Sequence, residues 1–302
     1  MDLKPITLED KPVIDSFLEE WQFDSSEYCF TNMFIWRNCW NVKYAVEDDV
    51  LYLWARYQNN KPVFYVPVTR HVSDDLCHPM KNAYHYALEN GCNLRVRCIT
   101  DRMKEIIEKT CEKKLVFTSN PNVEDYVYNT SDLIDLPGKK YHSKRNHINK
   151  FLSTYQYEYV PLTKEIVPEC IAFYEEWASK RETDSNLDDE RTALKEALTH
   201  MEELKLKGGV IKIAGKVEAF TVGEMINKKT AIIHIEKAND EVNGLYTFIN
   251  QQFAQREWSH TQFINREEDM GIAGLRKAKQ SYYPVKMVKK YEAVLADAFK
   301  ED

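Results

Sequence analysis

Apolar positions along the chain switch repeatedly between a spacing of two and a spacing of three to four, so strands and helices are expected to alternate. Val13, Ile14, Phe17, Leu18 and Trp21 make a helical stripe behind a capping box set by Thr7 and Asp10. A second helix is expected from Ser25 or Ser26, carrying Tyr28, Phe30, Met33, Phe34 and Trp36. Period-2 runs follow at 42–46, 50–55 and 63–68, parted by Glu47-Asp48-Asp49 and Asn59-Asn60-Lys61-Pro62. A helix over 73–90 should end at Gly91, which suits the left-handed C′ position. Strand 94–99, helix 101–111 and strand 115–118 complete a unit without a carboxylate pair, glycine-rich loop or Ser/His constellation. After Leu136-Pro137-Gly138 a similar series opens: helix 139–152, strand 155–160, helices 163–181 and 187–206, then strands 210–214, 217–226 and 230–237. The recurring order predicts an α+β protein of two related domains, 1–134 and 135–302, the second carrying the site.

Chemistry concentrates between Ile232 and Lys279. A strand there runs into the polar loop 239–244, a helix marked by Leu245, Phe248, Ile249 and Phe253, a second strand at 262–265, and the acids Glu267-Glu268-Asp269. Such an order places ionisable groups at the end of a sheet, where α/β folds put their sites. With Lys228 and Lys229 as a two-residue turn, Gly223 would face His234 and Thr221 would face Glu236. One face then collects Phe220, Val222, Ile226, Ala231, Ile233 and Ile235, and only Glu224 breaks the apolar sorting. His234 and Glu236 would lie together beside small residues, either as the wall of a ligand groove or as a satisfied polar pair. The three consecutive acids repel one another, so a desolvated member could take a proton from a nucleophile. In exposed form they are a solvated cap before a helix near Ile272. Lys139, Lys140, Lys144, Arg145 and Lys150 form one basic stretch. Arg276, Lys277, Lys279, Lys286, Lys289 and Lys290 form another around Tyr282 and Tyr283. Either could be a solvated face, or could hold the phosphates of RNA or of a coenzyme.

Composition narrows the classes. A net charge of −7 excludes wholesale coating of nucleic acid but not a local basic surface. Hydrophobic residues at 43% and only 9 glycines fit packed domains, not low complexity. No apolar run approaches the roughly 20 residues of a membrane span, and MDLKPITLED has no signal core. Seven cysteines (29, 39, 77, 92, 98, 111, 170) without a CxxC pair read as free thiols in a reducing, cytoplasmic setting, with no metal site.

The runs Ile235-Glu236-Lys237-Ala238, Asn243-Gly244-Leu245-Tyr246, Asn265-Arg266-Glu267-Glu268-Asp269-Met270-Gly271, Gly274-Leu275-Arg276-Lys277-Ala278-Lys279 and Tyr283-Pro284, with Ser26-Glu27-Tyr28 and Ile35-Trp36, carry a likeness over nearly the whole chain. Together they resemble bacterial proteins related to the C-terminal catalytic domain of lysylphosphatidylglycerol synthases. The resemblance implies two tandem GNAT-like domains, as in Fem-type aminoacyl transferases, and an acyl or aminoacyl transferase class. The expected reaction moves an aminoacyl group from charged tRNA, or another phosphate-bearing acyl donor, to an amine or hydroxyl acceptor. That acceptor could be a small molecule, a peptide or a lipid headgroup. The flippase part of the lipid-modifying synthases has no counterpart here, which weakens a lipid acceptor. Glu236 or Asp269 would be the base, with backbone donors near Gly244 facing the oxyanion. Lys144, Arg145, Arg276 and Lys279 would hold phosphates, Tyr246 and Tyr283 would orient substrate, and His234, Asn265 and Glu267 would line the site. Coenzyme A is disfavoured as a cofactor, because Asn239-Asp240-Glu241-Val242-Asn243-Gly244 offers one glycine and two acids where a pyrophosphate loop would stand. Coenzyme A-dependent N-acylation and a non-catalytic binding module are the alternatives.

Overall fold

The computed structural model describes residues 1–57, 60–91, 94–111, 115–181 and 185–294; the expected turn residue Asn59 and Cys92 fall outside them. The chain divides into two compact units. One comprises Met1–Asp125, Glu268–Gly271 and Val288–Asp302, the other Tyr126–Glu267 and Ile272–Met287.

The first unit is built on a sheet whose strands run in the order Lys4–Pro5, Lys43–Glu47, Val50–Ala55, Val63–Tyr65, Arg95–Ile99, Tyr291–Val294, Phe117–Ser119, with Val68–Thr69 also on Val50–Ala55. The Thr7–Asp10 capping box forms, and Gly91 takes its left-handed conformation at φ +67° behind helix Cys77–Glu89. Three expected elements are shorter than their patterns. The run 63–68 is broken into two strands, with Pro67, which has no amide to donate, between them. The helix expected from Ser73 begins at Cys77, because Ser73 and Asp75 spend their side chains on local turns and Asp75 Oδ1 accepts the Cys77 amide at 2.7 Å. The aromatic helix expected from Ser25 or Ser26 is a 3₁₀ turn, Ser26–Tyr28, followed by helix Phe30–Ile35.

The second unit carries a seven-stranded sheet in the order Lys286–Val288, Asp125–Asn129, Phe263–Asn265, Thr230–Ala238, Lys216–Met225, Lys207–Ile213, Tyr157–Pro161. Thr230–Ala238 and Phe263–Asn265 are parallel, joined through helix Leu245–Glu257 as a crossover. That helix packs Leu245, Phe248, Ile249 and Phe253 against Ala219, Ala231, Ile233 and Ala238 of the sheet, and Phe248 stacks on Phe151 of helix His142–Thr154. Among the described residues, no helix is long and apolar enough to cross a membrane.

Gly244 is the position where the backbone most needs glycine. It sits at φ +87° at the start of helix Leu245–Glu257, and a Cβ there would lie 2.1 Å from the His147 carbonyl oxygen. The left-handed backbone alone costs an L-residue about 1–2 kcal/mol, and the clash is with main chain that cannot rotate aside. Gly244→Ala is therefore expected to lower unfolding free energy by at least about 2 kcal/mol, read from urea denaturation followed by circular dichroism.

Candidate active site

The hairpin Lys216–Met225/Thr230–Ala238 sets the geometry. Thr221 pairs with Glu236 as the pattern predicts, but Gly223 pairs with Ile233, not His234. The turn has three residues, Asn227-Lys228-Lys229, closed by the Ile226 amide on Thr230 O and by Asn227 Oδ1, which accepts the amides of Lys229 and Thr230. The odd turn shifts the ladder by one, and a β-bulge at His234 shifts it back. The expected faces are corrected accordingly. Ala231 and Ile233 join the face of Glu236, against helix Leu245–Glu257, and His234 leaves it.

On the Glu236 face, Arg266 Nη2 lies 2.9 Å from Glu236 Oε1, and Asn250 Nδ2 donates to Oε2 at 3.1 Å. Arg266 follows directly from strand Phe263–Asn265, and Asn250 comes from the crossover helix, so the parallel pairing brings both to Glu236. The guanidinium lies 4.9 Å from the Tyr282 ring centre and 5.8 Å from that of Tyr128, both favourable for a cation. Lys144 Nζ sits 3.8 Å from the same Tyr282 ring. Burial, with the nearby Arg266 charge, lowers the Lys144 ammonium to about 8 although Glu236 pulls the other way. Two polar atoms here are buried without a protein partner: the donor Arg266 Nη1 and the acceptor Asn250 Oδ1. Native proteins rarely leave such atoms unfilled.

His234 is flanked by two carboxylates. Its Nδ1 is 2.9 Å from Glu267 Oε1 and its Nε2 is 3.1 Å from Glu224 Oε1, with the imidazole side chain fully buried. A ring donating to both is an imidazolium; otherwise one carboxyl supplies the proton. Glu224, the lone exception to the apolar sorting, is thus explained as a histidine partner.

The remaining sequence candidates divide by what their polar atoms hold. Lys279 is buried and donates to the carbonyls of Arg266 (2.6 Å) and Glu267 (3.1 Å). Arg145 Nη1 donates to Leu136 O and to Gly138 O. Both fix the chain around the site. Asn265, fully buried, accepts the Glu267 amide at 2.7 Å. Tyr246 is half-buried and its phenol is pushed up to about 12, chiefly by burial. Tyr283 is exposed, edge-on to Tyr141, and Arg276 is half-buried on helix Ala273–Gln280. Asp269 belongs to the other unit, where it is fully buried and accepts the Gly271 amide at 2.8 Å. In the loop before Gly244, Asp240 pairs with Arg181 and Glu241 with Lys180, while the Glu241 and Leu245 amides are taken by Asn239 Oδ1 and Val242 O. In the sequence pattern Arg266, Asn250 and Tyr128 have no role, and Tyr282 has only that of an aromatic neighbour to the second basic stretch. Arg266 beside the acids was the available signal, since an arginine after a strand end and next to a carboxylate run seeks a partner.

The architecture recurs in solved structures. A tandem GNAT protein from the clavulanic acid biosynthesis pathway matches over 100% of this chain and 99% of its own, at a TM-score of 0.54 and 9% identity. The fold is that of two tandem GNAT-like domains. L-PGS from Bacillus licheniformis matches over 95% of this chain and 92% of its own, at a TM-score of 0.65 and 15% identity. A conserved protein of unknown function from Bacteroides thetaiotaomicron is 36% identical, covering 97% of this chain and 99% of that one, at a TM-score of 0.91. The model of the family described as phosphatidylglycerol lysyltransferase, C-terminal, matches residues 19–294. The chain belongs to that family.

Proposed function

We propose that this protein is an aminoacyl transferase that moves an aminoacyl group from a charged tRNA to an amine or hydroxyl acceptor, using the Glu236–Arg266–Lys144 cluster. The observation that carries the reading is the buried, unpartnered Arg266 Nη1 in a guanidinium already fixed by Glu236, whose other oxygen is held by Asn250, itself with an unpartnered Oδ1. An aminoacyl ester is activated, so the protein needs to position the acceptor, accept its proton and stabilise an oxyanion.

In this reading the acceptor's nitrogen or oxygen attacks the ester carbonyl carbon. The carbonyl oxygen becomes an oxyanion that accepts from Arg266 Nη1. Collapse breaks the bond to the 3′-terminal ribose oxygen of the tRNA. The acceptor's proton passes to neutral Lys144 and from there to the departing ribose oxygen. Glu236 orients the guanidinium; since both its oxygens already accept hydrogen bonds, the role of base moves to Lys144. Asn250 Oδ1, buried without a protein partner, accepts from an amino group of the substrate in this reading.

The test is acceleration of ester loss from pools of charged tRNA, with and without added amine or hydroxyl acceptor. Wild-type protein is expected to speed the loss, and Glu236→Gln to remove most of the effect. The rate should rise with pH through about 8 and then level, as the Lys144 ammonium loses its proton. Lys144→Arg stays protonated, so it should flatten that profile and cost roughly 10²–10⁴-fold in rate. If charged tRNA neither binds at low salt nor loses its amino acid faster than in buffer, the proposal fails.

A further inference from the structure

The first unit carries a concave surface that the transfer reading does not use. Two cavities, of about 210 and 370 Å³, open where strands Val50–Ala55, Val63–Tyr65 and Arg95–Ile99 lie side by side, and Arg95 lines both. Sites for small molecules are typically roughly 300–1,000 Å³. The walls contain five cations, Lys43, Arg56, Lys61, Arg95 and Arg97, and no carboxylate among the described residues. In a chain of net charge −7 this is a strong local excess.

The cations are incompletely neutralised. Arg95 and Arg97 share one carboxylate, that of Glu292, with Arg97 Nε at 3.1 Å from its Oε2. Arg95 Nε is buried without a hydrogen-bond partner. Arg56 and Lys61 are exposed. Aromatic rings alternate with these charges. Trp54 has Lys43 Nζ at 5.5 Å and Arg56 at 5.2 Å from its centre, and Trp40 and Tyr57 lie 4.7 Å apart. Tyr86 closes the smaller cavity from the end of helix Cys77–Glu89. Guanidinium and ammonium groups suit phosphate, and neighbouring aromatic faces suit a planar base.

We propose that this surface is a nucleotide site, binding phosphate on Arg56, Lys61 and Arg97 and a base against the Trp and Tyr rings. The same chemistry is offered by a free nucleotide and by the end of an RNA strand. The proposal does not rest on the transfer reaction, whose cluster lies in the second unit.

The test titrates the whole protein at low salt with adenosine 5′-monophosphate and with a fluorescein-labelled short oligoadenylate, using calorimetry and anisotropy. The wild type should bind, and added salt should weaken binding. Arg56→Gln/Lys61→Gln, which alters two exposed side chains, should bind at least about tenfold more weakly at an unchanged melting temperature, because two charge-assisted contacts are lost. Glu236→Gln should bind like the wild type, so a failed transfer assay does not decide this one. Tighter binding of the oligonucleotide identifies a strand as the source, and equal binding identifies the free nucleotide. The proposal is overturned if neither probe binds below about 1 mM, if the double variant binds as well as the wild type, or if inorganic phosphate competes as effectively as the mononucleotide.

Discussion

Arg266→Met is expected to destabilise the second unit by about 3–5 kcal/mol, because it leaves the Glu236 carboxylate largely buried without its cation. The two side chains are 13% and 11% exposed, so little solvent screens the 2.9 Å contact. Burial opposes the charge on Arg266 most strongly, but Glu236, Tyr128 and Tyr282 together outweigh it and the guanidinium's affinity for its proton is raised. Glu236→Gln/Arg266→Met should therefore recover much of the loss, since removing both charges removes the uncompensated one. Urea denaturation of the four proteins of the cycle reads the coupling. A single-variant loss below about 1 kcal/mol would show that the pair is solvated and could not hold an oxyanion donor rigidly. Transfer activity should be lost in the double variant even though its stability returns, and this separates the chemical role of Arg266 from its structural one.

Much of this arrangement can be read in the residues, and the failures have local causes. Alternation in 230–238 identifies the strand, and helical spacing from Leu245 identifies the crossover that covers it. The Thr221–Glu236 pairing follows from the same alternation. Periodicity cannot register an odd turn compensated by a bulge, because each alters the count by one and the two cancel beyond His234. The bulge decides which face His234 takes, so its separation from Glu236 was illegible, although Glu224 among apolar positions marked the irregularity. Gly244 reads from sequence as a place for close ligand approach, whereas the neighbour that requires it is the His147 carbonyl of another helix. Long-range packing of that kind leaves no local trace. The same holds for basic runs. Lys279 and Lys290 belong to a stretch that resembles a solvated face, yet both are buried on oxygen ligands supplied from elsewhere in the chain.

Lys290→Met should be the most destabilising single change in the first unit, again by about 3–5 kcal/mol. Its side chain is 3% exposed, and its ammonium lies 2.6 Å from Asp125 Oδ1, 2.8 Å from Glu27 Oε1, 3.8 Å from Glu268 Oε2 and 3.1 Å from Ser26 Oγ. Asp125, itself fully buried, also accepts the Ser26 amide at 2.8 Å and its hydroxyl at 3.0 Å. One cation thus ties residues 26–27, 125, 268 and 290, segments far apart in sequence that the first unit must collect. Burial opposes the charge, but Asp125, Glu27 and Glu268 together hold Lys290 well above its ordinary value. A base raised in the folded state stabilises fully below its unfolded value of 10.5 and loses that contribution only as pH climbs through the higher folded value. The wild type should keep this contribution across neutral pH and lose it only in strong alkali. Three carboxylates around one ammonium also repel one another. Glu268→Gln, at the longest contact, should accordingly be close to neutral or slightly stabilising, in contrast with Lys290→Met. Equilibrium unfolding of the two variants at pH 7 compares them directly. Equal losses would mean that the cluster acts through packing, and a negligible loss for Lys290→Met would mean that the four segments are held together without it.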